Sequence, residues 1–189
     1  WKKRAQQEWA SIPAFAQLVE QLQTCGAPNE LLDRVAKAAR EEMQHAVLVA
    51  GQVSRWTQAE VNLSPGQFDA RKPATGDAGL IRLATESWLD GCLGEGVAAL
   101  CLQEESEMVN DPLERTSLAQ IAKDEFQHAE LAWDILKWTL TQSETVADAL
   151  RAVRNEAPRC DELDGYTPRW LEEALEHSRR RLDNILATA

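Results

Sequence analysis

The sequence predicts an all-α fold: a four-helix bundle with a long crossover between helices 2 and 3 and additional C-terminal helices. Three observations carry this. Apolar residues recur at spacings of three and four along most of the chain, no alternating strand pattern competes, and the helical stretches form two similar hairpins joined by one long connection.

The first helix spans Lys2 to Thr24, with Ala5, Glu8, Ile12, Phe15, Val19 and Leu22 at the helical period. Pro13 lies inside it and is expected to kink it, because proline lacks the N–H that bonds four residues back. Gly26, Pro28 and Asn29 supply a stop, a breaker and a new N-cap before a second helix from Leu31 to Trp56. Between Thr57 and Gly79 the period is lost amid Ser64-Pro65-Gly66, Pro73 and Gly76, which marks the long connection. A third helix runs from Leu80 to Val109, and Asn110-Asp111-Pro112 closes it and opens a fourth from Leu113 to Leu140, with Pro112 suited to the first helical position. Ser143 to Ala157 and Pro168 to Ala187 read as two further helices around a turn at Asp164-Gly165. The expected division is a bundle over residues 1–142 and a C-terminal helical extension over 143–189, packed on the bundle as an amphipathic brace or a homodimer contact. The arginines Arg151, Arg154 and Arg179 to Arg181 read as a solvated face or as contacts for acidic partners.

Bulk properties narrow the function classes. At 189 residues, 44% hydrophobic and 27% charged, the chain is an ordinary globular one. Its formal charge of -11 argues against a protein that grips phosphate backbones, so nucleic acid is not an expected partner. No run of eighteen apolar residues suggests a membrane span, and Trp1 to Arg4 run into Gln and Glu without the pattern of a signal peptide. Cys25, Cys92, Cys101 and Cys160 form no C-x-x-C pair, and reduced thiols in a cytoplasmic location are expected.

The strongest signal is an internal repeat. Glu8-Trp9-Ala10-Ser11-Ile12 followed by Arg40-Glu41-Glu42-Met43-Gln44-His45-Ala46 is echoed by Glu95-Gly96-Val97-Ala98-Ala99 followed by Lys123-Asp124-Glu125-Phe126-Gln127-His128-Ala129. In each half one helix supplies a lone Glu and the next a Glu-x-x-His motif, whose two side chains share a helix face. Sixteen residues climb from Glu8 to Thr24 and thirteen descend from Asn29 to Glu42; fifteen climb from Glu95 to Asn110 and fourteen descend from Asp111 to Glu125. At about 1.5 Å per residue each hairpin returns its polar groups to one level within about 5 Å. The connection reaches roughly 75 Å when extended and a helix of about 27 residues only roughly 40 Å, so the hairpins can pack with these faces opposed.

Four carboxylates and two imidazoles are mostly hard oxygen donors with two borderline nitrogens, a set that suits iron or manganese better than copper or a closed zinc site. Four negative charges also balance two divalent ions. Without them, four facing carboxylates in a core are costly to desolvate, and several stay protonated. The third histidine, His177, lies among Glu176 and Arg179 to Arg181 and reads as surface. Glu41 and Asp124, just before the motif glutamates, are either exposed or hydrogen-bonded to the motifs, exposure being favoured. Ala5, Ser11, Ala98 and Ala99 share the polar faces and are small, leaving either a pocket or tight helix contacts. Trp88 and Cys92 point the same way as Glu95, as pocket wall or as core, with core favoured. Trp133 and Trp138 read as core and interface.

One Glu from each of two helices and Glu-x-x-His from each of two others resembles the ferritin-like di-iron carboxylate superfamily, which includes rubrerythrins, tRNA-modifying hydroxylases and aldehyde-deformylating enzymes; the resemblance covers Lys2 to Leu140. Glu-x-Ala-Ser-Ile and Asp-Glu-x-x-His-Ala-Glu-Leu-Ala-Trp look like one branch of ferritin-like domain proteins. The resemblance implies metal-ligand roles for Glu8, Glu42, His45, Glu95, Glu125 and His128, with Glu42 and Glu125 as bridges. It implies a cofactor of two iron ions, with manganese or a mixed manganese–iron pair as variants. The implied activity is an oxidoreductase acting on O2 or peroxide, with a small organic substrate and an electron donor that the sequence does not name. Alternatives are a ferroxidase or iron-handling protein for storage or delivery, and a metal-stapled structural bundle. The chain departs from rubrerythrins in having Ala98 and Cys92 where an additional carboxylate would sit, and no rubredoxin-like cysteine set. Its only tyrosine, Tyr166, lies outside the bundle helices, against a tyrosyl radical.

Overall fold

A computed structural model describes residues 1–58, 71–158 and 167–188. Its elements are α1 (Lys2–Thr24), α2 (Asn29–Thr57), α3 (Gly76–Glu86), a π-helical segment (Ser87–Glu95), α4 (Gly96–Met108), α5 (Pro112–Gln142), α6 (Thr145–Val153) and α7 (Leu171–Leu186). The fold is all-α, with no strand among the described residues. Cys160, Tyr166, the Ser64-Pro65-Gly66 stretch and the Asp164-Gly165 turn lie outside the described residues.

Local chemistry explains the boundaries. Gly26 has φ 74°, a left-handed conformation that suits glycine, and lets Gly26 N–H bond to Gln23 O and Ala27 N–H to Leu22 O. These two bonds satisfy the last carbonyls of α1 in a Schellman turn. The turn is short, so α2 folds back antiparallel along α1. Pro28, rather than the expected Asn29, is the N-cap of α2. At the second hairpin Asp111 accepts from the N–H groups of Leu113 and Glu114, and Pro112 opens α5 where no intrahelical N–H is needed. Asp111 also meets Arg55 at 2.5 Å, tying the end of α2 to the start of α5. Pro13 does not end α1, which continues to Thr24.

The third stretch differs most from expectation. It begins at Gly76, four residues early, and its middle is π-helical over Ser87–Glu95, ending on one of the repeat glutamates. The wider turns bring this segment hard against α5: a Cβ on Gly91 would overlap that of Ala132. Glycine is thus required for the close approach.

α1 lies along α2, α4 along α5, and α5 also meets α2 and the π segment. Two apolar clusters flank the level of the repeat glutamates. One gathers Leu22, Leu31, Val35, Ala38, Leu131 and Ile135; the other gathers Ala5, Val49, Leu102, Leu118, Ile121 and Ala122. A third cluster joins Trp88, Leu93, Trp133 and Leu136 to Val146, Leu150, Leu175 and Leu182, so α6 and α7 share a core with α3, the π segment and α5. Arg181 adds a paired contact to Glu130, at 2.5 and 2.8 Å, and stacks over the Trp133 ring at 4.3 Å. Arg154 grips Asp183 at 2.6 Å through two bonds. These two arginines serve internal docking instead of facing solvent alone. No helix among the described residues is long and apolar enough to cross a membrane.

Candidate metal centre

Glu8 comes from α1, Glu42 and His45 from α2, Glu95 from the end of the π segment, and Glu125 and His128 from α5. All six meet in the interior between the two flanking clusters. Ligand-type atoms of Glu8, Glu42, His45 and Glu125 lie within 4.8 Å of one another, and so do those of Glu95, Glu125 and His128. Every one of these residues is buried except Glu95, which is partly exposed.

The two imidazoles are arranged alike. His45 turns Nδ1 inward, 3.2 Å from Glu125 Oε1, 3.5 Å from Glu8 Oε2 and 3.8 Å from Glu42 Oε1. His128 turns Nδ1 inward, 3.0 Å from Glu42 Oε1 and 3.1 Å from Glu125 Oε2. The Glu125 carboxylate therefore offers one oxygen to each imidazole, and their ring centres are 6.0 Å apart. Glu42 Oε1 and His45 Nδ1 are both buried and make no hydrogen bond of proper geometry. Buried polar atoms without such partners are rare. Converging acceptors that miss hydrogen-bond alignment fit a positive ion between them.

The outer faces of the imidazoles are held by acids from the opposite hairpin. His45 Nε2 meets Asp124 of α5 at 3.2 Å, and His128 Nε2 meets Glu41 of α2 at 3.2 Å. Gln120 donates to Asp124 at 2.8 Å, and Lys37 pairs with Glu41. With Nε2–H held outward, each Nδ1 faces the interior, where loss of its proton frees it to bind a metal, the arrangement in which a carboxylate orients a metal-binding histidine. The expected exposure of Glu41 and Asp124 is thus replaced by a pairing role; Asp124 is buried and Glu41 half-buried. The repeat carried the clue, since an acid precedes the motif glutamate in both copies.

Ser11 donates its hydroxyl to Glu42 Oε2. The equivalent position in the second copy is Ala98, so the two halves differ in what restrains their carboxylates. Ala5, Ala98 and Ala99 are buried, and none of them lines the cavity beside Glu95 and His128. Trp88 and Cys92 are core: Trp88 packs edge-on against Trp133 and donates to Val153 O at 3.2 Å. His177 is exposed, as expected. Cys25 and Cys92 form no disulfide among the described residues.

A cavity of about 170 Å³ opens instead on the other side of the group, between α1, α3 with the π segment, and α5. Phe15, Leu18, Leu131 and Ile135 form its apolar wall, and Glu95 and His128 lie at its inner end. Phe15 packs edge-on to the His128 ring at 5.3 Å. Sequence periodicity put Phe15 on the apolar face of the first helix but could not show that the packing around it stops short of closure.

Electrostatics reflect four carboxyls gathered out of water. Burial pushes Glu8 up to about 7, against the pull of His45. Burial and the neighbouring Glu125 also raise Glu95 well above the carboxylate range. Burial opposes charge on the imidazoles, but Glu125 and Glu8 outweigh it at His45, which is pushed up to about 11. His128 is likewise pushed up to about 10 by Glu125 and Glu42. Burial would raise Glu125, yet His128 and His45 hold it far below its usual value. Protons thus supply positive charge to a group that would otherwise repel itself.

Comparisons with protein-family models, curated proteins and solved structures find no match to this chain.

Proposed function

We propose that this chain is a ferritin-like di-iron carboxylate protein, its four-helix bundle formed by α1, α2, the α3–π–α4 stretch and α5, acting as an oxidoreductase on O2 or peroxide. The observation that carries this reading is the convergence of Glu8, Glu42, His45, Glu95, Glu125 and His128, with Glu42 Oε1 and His45 Nδ1 buried and lacking aligned hydrogen bonds. Two iron ions, with manganese or a mixed pair as variants, match a donor set of four carboxylates and two imidazoles in charge and hardness.

In this reading Glu8 and Glu95 would each hold one ion, Glu42 and Glu125 would be shared between the two, and His45 and His128 would supply one nitrogen apiece. Bound ferrous ions would supply the electrons that reduce O2 or peroxide. The chain's own part is placement. Asp124 and Glu41 hold the imidazoles, Ser11 restrains Glu42, and the flanking clusters keep water from both sides. Without metal, Glu8 is pushed up to about 7 by burial and carries a proton over part of the neutral range, which it would give up on binding an ion. A cytoplasmic location, with thiols reduced, belongs to the same proposal.

Metal analysis of protein grown in iron-rich medium, with absorption spectra before and after anaerobic reduction and O2 exposure, tests it. Two irons per chain are expected, lost when His45 and His128 are together changed to Ala; unchanged iron in that variant would refute the assignment. Acidic groups at the cavity, Glu86 and Asp90, favour a second reading as a ferroxidase for storage or delivery, in which ferrous ions pass inward. Uptake beyond two irons per chain would select it. Retention of redox-silent zinc at full occupancy would select a structural staple.

A further inference from the structure

The cavity beside Glu95 and His128 has a chemistry of its own. Its lining counts away from the proposed centre in the same sense on three helices: Phe15, Leu18 and Gln21 on α1; Leu131 and Ile135 on α5; and, from Glu95 back through Gly91 and Glu86 to Arg82, the π segment and α3. One end is therefore the metal-ligand group and the other is polar. Thirteen residues separate Arg82 from Glu95, a span below the roughly 20 Å of an α-helix of that length because the π segment rises less per residue.

The charges at the polar end are not equivalent. Arg71 pairs with Glu86 at 3.0 Å, and Asp90 has a partner of its own. Among the described residues Arg82 donates only to neutral oxygens, Lys72 O at 2.9 Å and Gln21 Oε1 at 3.4 Å, both through one nitrogen. A guanidinium carries five N–H donors in a fork shaped for carboxylate. These neutral contacts hold Arg82 in place and leave most of that fork unspent, at the rim of an apolar cavity.

We infer that the cavity takes a small carboxylic acid with an unbranched apolar body: the carboxylate on Arg82, the body along Phe15, Leu18, Leu131 and Ile135, and the far end toward Glu95 and His128. This rests on the di-iron reading for its role, since it makes such an acid the organic ligand of that centre. Size agrees: an engineered apolar cavity of about 150 Å³ in another protein holds benzene, and the present 170 Å³ is open at its rim and so admits a chain somewhat longer. A neutral amphiphile would meet the same wall but leave the Arg82 fork unused.

The test is calorimetric titration of octanoate, with octan-1-ol as the uncharged comparison, into the full chain in metal-free and anaerobic ferrous forms, with iron content measured in parallel. Saturable one-to-one octanoate binding is expected, weakened tenfold or more by Arg82→Gln while octan-1-ol is unaffected. Because Arg82 also steadies Lys72 and Gln21, a second variant is needed. Ala14 is exposed and lines the cavity next to Phe15, so Ala14→Trp should fill the apolar part of the cavity and abolish binding of both probes with iron content unchanged. Absence of saturable octanoate binding, or equal affinity in both variants, overturns the inference. Iron uptake without octanoate binding removes the inference and leaves the di-iron reading standing. Octanoate binding by a chain that takes up no iron removes the di-iron reading, and with it the role given to the acid.

Discussion

Glu41 of the first hairpin meets His128 of the second at 3.2 Å, and Asp124 of the second meets His45 of the first at the same distance. Each hairpin thus orients the imidazole of the other. Loss of an outer acid typically lowers metal affinity about 10- to 100-fold. Glu41→Ala and Asp124→Asn are expected to fall in that range by competitive chelator titration, with helical content unchanged. Asp124→Asn should cost more, because Asp124 is buried and fixed further by Gln120. Affinity unchanged in both would mean the acids are bystanders.

Gly91→Ala should destabilise the fold by about 1–3 kcal/mol in chemical denaturation, as overpacking commonly does. The added methyl falls on Ala132 Cβ, on a helix that cannot yield without shifting His128. The double variant Gly91→Ala with Ala132→Gly should recover most of the loss. Failure to recover would place the strain in the π segment's backbone.

The metal-free protein should lose stability as pH rises. Glu8, ordinarily near 4.5, sits at about 7 when folded, so the folded chain holds more protons than the unfolded one between these values and stability declines across them. His45 and His128, raised from 6.5 to about 11 and about 10, act in the same sense from 6.5 upward. Glu125, depressed on folding, works oppositely and only in acid, where its contribution is lost as pH falls below its ordinary 4.5. Urea midpoints should therefore fall steadily from about pH 5 to about pH 9. A midpoint that rises over this range would contradict the proton inventory.

Loading with divalent metal should release those same protons, because metal ligands bind in their deprotonated forms. Calorimetric metal titrations in buffers of different ionisation enthalpy at neutral pH should report more than one proton displaced per chain. His45→Ala with His128→Ala should suppress the release.

Much of this was legible in the residues. Helical spacing and the punctuation at Gly26 and Asp111-Pro112 set the hairpins, and the repeat set six polar groups at one height. That height argument assumes α-helical rise throughout and so passed over the π segment, whose close approach to α5 at Gly91 and Ala132 is a tertiary contact that local propensity does not announce. The outer acids were visible but ambiguous, because their partners lie about 80 residues away in sequence, and whether they face the core is decided by how two hairpins dock. The cavity was hidden for a related reason: apolar residues such as Phe15 and Leu131 look alike in sequence whether or not they close against each other. Arg154 and Arg181 found acids on other helices, a matter of how the C-terminal helices dock on α5.

The apolar clusters around Val35 and Leu102 act as stoppers at either end of the polar group. Traffic between the interior and bulk solvent is thereby steered sideways, past Phe15 and Leu131. A solute that takes this way in passes from the polar rim at Arg82, Glu86 and Asp90 to the apolar stretch at Phe15, Leu18, Leu131 and Ile135 before it meets Glu95 and His128, so the narrowness of the cavity sorts solutes by size before any ligand atom is reached.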